Sequence, residues 1–223
     1  MRDSVVGHLI LKDWRLNRPL IVLSVLGGLI ALVIVSWGGQ TPFVLGGVWF
    51  FMALILMGHM LPFGIINERK RQNLPFLMSL PISSIQYTIS KLISTLGLFL
   101  IPWLMLLISA GVLIEVRHVI PLGWIPMSLI LAILPFIGFV LITAAALVGE
   151  KEGWGVAANV VCSSSYWFVW YAIARIPSVA AGFNSPFPLW NSAVRNVLAC
   201  EFGTIVMILA LTFFFQSRKK DFI

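Results

Sequence analysis

Six uninterrupted apolar runs dominate this chain of 223 residues: Pro19 to Trp37, Phe43 to Ile65, Thr88 to Ile114, Trp124 to Val148, Gly155 to Arg175 and Asn196 to Phe215. A helix needs roughly 20 apolar residues to cross the hydrocarbon layer, and each run reaches or approaches that length. The runs are continuously apolar rather than alternating, which argues against a membrane barrel. Charged residues make up only 10% of the chain, against about 25% in a soluble domain. The expected fold is all-α: a polytopic membrane protein with six transmembrane helices, forming one domain over residues 19–223.

Lys and Arg set the orientation, because they are retained on the cytoplasmic side. With the amino terminus inside, Arg2, Lys12, Arg15, Arg18, Arg69, Lys70, Arg71, Lys91, Lys151, Arg218, Lys219 and Lys220 are cytoplasmic, leaving Arg117, Arg175 and Arg195 outside. Both termini are therefore expected in the cytoplasm. The net charge of +7 reads as a topology signal and as affinity for the anionic lipid of the bilayer. It does not point to nucleic acid, since no folded basic module exists to present such a surface.

Residues 1–18 are mixed rather than apolar, with His8, Lys12 and Arg15 recurring at helical spacing and Val6, Leu9, Ile10 and Trp14 mainly opposite. This pattern fits an amphipathic helix lying in the interface, with Pro19 opening the first span; a solvated leader is the other reading. Asp13 intrudes on the apolar side. The first run ends without a small-residue cleavage site and is expected to be retained as a span. Cys162 and Cys200 fall at different depths in different spans, so two separate thiols are expected rather than a disulfide.

Between the second and third runs lies ERKRQNLPFLMSLPISSIQYTISK, Glu68 to Lys91. Its charges end the second span, and the following Leu74 to Pro81 is apolar but too short to cross. Pro75 can start a short helix and Pro81 can stop it, leaving Phe76, Leu77 and Leu80 as a small apolar knob. Such a knob in a water-facing loop marks a contact with another protein, or else an interfacial segment that dips into headgroups.

The order Glu68, the SLPIS of Ser79 to Ser83, then Tyr87 and Lys91 entering a span resembles permease subunits of ABC transporters of the type-two export class. That resemblance implies an interfacial amino-terminal helix, a cytosolic coupling segment over 66–87, and a membrane-dipping outer connection over 176–195. The last matches the Ile176 to Val194 stretch, with its VAAGFNSPFPLW. The resemblance further implies an ATP-binding cassette subunit, holding ATP and Mg on a separate chain, and a second permease subunit, identical or related. The dimer would sit in a bacterial-type plasma membrane and drive export. Arg71, Phe76, Leu77 and Leu80 would dock on the ATPase subunit, with Glu68 and Arg69 at the helix end that receives the push. The chain itself has no G-x-x-x-x-G-K-[ST] phosphate loop, so it is not expected to be an enzyme.

Ionisable groups inside spans are functional candidates by default. Glu201 lies near the outer end of the sixth run; it reads either as an ion pair with Arg195 or Arg175, or as a contact to cargo at an outer gate. His59, in the second run, reads as a hydrogen-bonded packing residue. Ser163, Ser164, Ser165 and Tyr166 give the fifth run a polar patch that could line a pathway or bond across helices. Trp37, Trp49, Trp103, Trp124, Trp154 and Trp190 read as an interfacial belt, and Pro62, Pro102, Pro126 and Pro135 as interruptions of spans.

An ion-gradient-driven secondary transporter is the alternative, but it calls for ionisable groups clustered at the bilayer midplane, which the runs lack. An intramembrane enzyme is weaker still. The chain contains no G-x-S-x-G, no H-E-x-x-H and no paired aspartates within runs.

Overall fold

The computed structural model describes residues 2–70, 84–118, 121–149, 152–183 and 185–218, and among them finds helices, turns and no strands. Continuous apolar sequence leaves the chain few alternatives. In lipid each backbone N–H and C=O must be satisfied within the segment, and an open chain achieves that only as a helix.

Six long helices result: α1 (Arg2–Ser36), α2 (Gln40–Lys70), α3 (Ser84–Arg117), α4 (Ile125–Val148), α5 (Glu152–Ala174) and, after a single turn α6 (Pro177–Ala180), α7 (Ser192–Arg218). All six are long and apolar enough to span a membrane. Most overrun the apolar runs read from sequence, because a helix does not stop where hydrocarbon stops. At 1.5 Å per residue α1 reaches about 52 Å, well beyond a hydrocarbon layer of about 30 Å.

Residues 1–18 were expected to form an amphipathic interfacial helix, with Pro19 opening the first span. From Arg2 onward α1 runs through Pro19 without a break, so the described part of that segment is continuous with the helix of the first span. Pro126 likewise does not interrupt a span: it lies in the first turn of α4, where its missing N–H has no intrahelical acceptor to lose. Pro62, Pro102 and Pro135 lie inside α2, α3 and α4.

The helices alternate in direction. One end of the bundle gathers Asp13 and Lys91, Ile66 beside Gly155, and Leu147 bonded to Gln216. The other gathers Val35 beside Gly46, Phe43 against Trp124, and Trp124 stacked on Phe183. The first is the end from which the described parts of α1 and α7 emerge and toward which α2 and α3 deliver the 71–83 connection. Gly38 and Gly39, at φ 75° and 86°, make the tight α1–α2 turn; this left-handed region costs most other residues steric strain.

α4 is the central helix. It is buried along most of its length and packs against α2, α5 and α7, while α1 covers α2 and α3. The main core is aromatic: Phe99 of α3 stacks on Phe139 of α4 at 4.5 Å and 8°, with Phe136 and Trp103 alongside. Leu54, Met57 and Leu61 of α2 and Ile205 of α7 close the cluster. Trp103, read as part of the interfacial belt, is thus interior; its indole N–H donates to the Ala132 carbonyl at 3.0 Å, the partner that a buried Trp needs. Trp37, Trp49, Trp154 and Trp190 are exposed at or toward helix ends.

Candidate functional site

Two ionisable side chains buried in the bundle have opposite surroundings. Asp13, on α1, receives both oxygens' bonds from one ammonium: Lys91 Nζ donates at 3.0 and 2.9 Å. The Ser94 hydroxyl, one turn along α3, adds a third bond to Oδ2 at 2.9 Å. Asp13 is 6% exposed and Lys91 2%. The apparent flaw in the amphipathic pattern of 1–18 is therefore the residue that fastens this part of α1 to the head of α3. Lys91 follows the 71–83 connection by only eight residues, and the Thr95 hydroxyl donates to the Lys91 carbonyl at 2.6 Å, tightening the same turn.

Glu201, on α7, is also 6% exposed, yet both its carboxylate oxygens lack a hydrogen-bond partner. The expected ion pair with Arg195 or Arg175 does not form. Arg195 precedes Glu201 by six residues, which at about 100° per residue turns it roughly 120° away around the helix, and it is exposed. The Arg175 guanidinium instead lies 4.4 Å from the ring centre of Tyr171.

A third polar node lies deeper. His59 Nε2 and the Tyr166 hydroxyl share a hydrogen bond of 2.9 Å, and Ser163 Oγ lies 3.3 Å from His59 Nδ1. The hydroxyl reaches α2 by passing over Gly138 of α4, where a Cβ would overlap it. His59 is a hydrogen-bonded packing residue, in line with its sequence reading. Tyr166 is buried with it, whereas Ser164 is exposed on α5.

Of the residues expected at an ATPase contact, Arg71, Phe76, Leu77 and Leu80 lie outside the described residues. Glu68 and Arg69 belong to the last turns of α2, with their side chains undescribed. The described parts of the connection between α5 and α7 fold back onto the end of the bundle. Asn191 caps α7 by accepting from Val194 N–H at 2.9 Å, the role such a residue favours, and its amide donates to the Ser178 carbonyl. Val179 is buried among Met127, Ile130 and Val194, while Phe187, Leu189 and Trp190 remain exposed. Cys162 and Cys200 are both free thiols.

Sequence reading singled out Glu201, His59 and Tyr166 but did not join the last two, and it missed the Asp13–Lys91 pair. The available signal was slight: Asp13 breaks the amphipathic pattern of its segment, and Lys91 is the first charged residue of the third run.

Neither the curated proteins nor the solved structures contain a match to this chain. The family model described as "ABC-2 family transporter protein" matches residues 8–219, nearly the whole sequence and all six long helices. The chain therefore belongs to the ABC-2 transporter family and is a multi-pass membrane permease of the ABC type.

Proposed function

We propose that this permease works as one half of an ATP-driven exporter, paired with a second permease subunit and powered by ATP and Mg on separate ATP-binding subunits. The observation that carries the reading is the family match across residues 8–219, on a chain whose sequence has no phosphate loop of its own. The work must then arrive from another protein, and the connection between α2 and α3 is the place for it. This is the basic, proline-marked stretch, with its apolar knob of Phe76, Leu77 and Leu80, and the excess of Lys and Arg at this end assigns it to the cytoplasm.

The Asp13–Lys91–Ser94 network extends the proposal. A push on the α2–α3 connection reaches Lys91 within about two turns of α3, and the ion pair passes it to α1. Removing one partner of a buried pair costs about 3–5 kcal/mol, so over small displacements the two helices move together. Two helices thus respond to one contact.

Co-purification tests assembly. The tagged chain, extracted from its native host in mild detergent, is expected to bring an ATP-binding subunit with it. Leu80→Asp should insert normally and lose that subunit. A complex that survives the substitution removes the docking role from this segment.

A further inference from the structure

Glu201 is the group that the proposed coupling does not use. It is nine-tenths buried, it accepts no hydrogen bond, and it lies about 13 Å along α7 from the helix start. Isolated carboxylates are costly to bury without a donor, and inside a membrane they mark functional positions.

None of the described cations pairs with it. Lys91 is bound to Asp13 at the other end of the bundle, Arg175 lies against the Tyr171 ring and Arg218 against the Phe214 ring, and Arg117 and Arg195 are exposed. On the same helix, Leu198 and Ile205 flank Glu201 by about one turn, and both pack into the cluster that holds Phe99, Trp103 and Phe136. A second polar group without a partner lies along the same α4–α7 seam. The Thr143 hydroxyl is that group, and Thr143 lines a narrow groove with Leu92, Leu96, Phe139, Leu209 and Thr212, toward the end of the bundle from which the described parts of α1 and α7 emerge.

We propose that Glu201 anchors a cargo site along the α4–α7 seam that takes a hydrophobic organic cation bearing N–H donors, held by the carboxylate against the aromatic cluster. Two acceptor oxygens suit an ammonium or amino-aromatic cation, and aromatic faces add attraction for a flat cation. Between the Gln216–Leu147 bond near one end of α7 and the Asn191 cap at the other, apolar packing makes most of the seam. It can part without breaking a polar network. The inference rests on the permease reading and names the class of cargo.

The test is fluorescence titration of ethidium, a flat aromatic cation with two amino groups, into the purified native complex in lipid nanodiscs. Wild type is expected to bind saturably, Glu201→Gln to bind roughly tenfold or more weakly, as loss of a buried charge partner requires, and Cys200→Ala, an exposed neighbour, to bind as wild type. Glu201→Asp, which keeps the charge, should retain most of the binding and serves if Glu201→Gln fails to assemble. Wild-type binding no greater than that of empty nanodiscs overturns the proposal, as does equal binding by Glu201→Gln. So does a Glu201→Gln variant that dissociates into single permease subunits with ethidium binding unchanged, since the carboxylate would then serve a second copy of the chain. Recovery of the ATP-binding subunit is scored on the same samples. Its presence without ethidium binding rejects only the cargo site, and ethidium binding without any ATPase rejects the exporter reading instead.

Discussion

Asp13 and Glu201 are equally buried carboxylates at opposite ends of one bundle, and they differ in what surrounds them. Asp13 accepts three bonds from Lys91 and Ser94; Glu201 accepts none. A buried acid that is fully satisfied holds two helices in fixed register, and its removal exposes a stranded charge. A buried acid with empty acceptors contributes nothing to the packed state and is retained at a cost to stability. The first is structural and serves transmission; the second is available to something that arrives from outside the chain.

That contrast can be broken most forcefully at Lys91. Lys91→Met should destabilise the chain by about 3–5 kcal/mol by leaving the buried Asp13 without its cation, read as a large fall in the thermal unfolding midpoint in detergent. Adding Asp13→Leu should recover most of the loss, because apolar replacement of a whole buried pair is often neutral. If the double variant stays as unstable as the single one, the pair is not the source of the effect.

Glu201→Leu should shift stability in the opposite direction, raising it by about 1–3 kcal/mol through removal of an unsatisfied buried group. A fall in the unfolding midpoint would reveal a partner for the carboxylate and erase the contrast between the two acids.

The His59–Tyr166 node offers a control in which a buried polar pair is hydrogen-bonded without a carboxylate. Gly138→Ala should cost about 1–3 kcal/mol by overpacking, because the added methyl meets the Tyr166 hydroxyl. In a Tyr166→Phe background the same substitution should cost less, a coupling that a double-mutant cycle measures directly. The smallest effect is expected at Ser164, exposed on α5, where alanine should change stability by no more than about 0.5 kcal/mol.

How far the sequence predicts these differences follows from what each depends on. The spans were legible because a 20-residue apolar run is a local property, and lipid admits one solution for it. Their ends were less so: the continuation of α1 through Pro19 could not be read, because a proline near a helix boundary and one inside a long helix look the same in sequence. Asp13 was visible only as an irregularity. Its meaning lies in a residue 78 positions away, and long-range pairing leaves no periodic trace. Glu201 is the instructive case. Its isolation could have been read from the helical angle to Arg195, whereas proximity along the chain pointed to a pair. Trp103 shows the same limit, since an indole at a span end and one turned inward differ only in the neighbour that accepts the N–H, here Ala132.

The role of the Asp13–Lys91 pair in transmission is decided by ATP turnover of the purified complex in nanodiscs, compared between the wild-type chain and the Asp13→Leu, Lys91→Met double variant. The wild-type complex should hydrolyse ATP, and the double variant, stable and fully assembled, should show altered turnover because α1 no longer follows α3. A wild-type chain that repeatedly purifies with no ATPase activity, or a double variant with unchanged turnover, would contradict it.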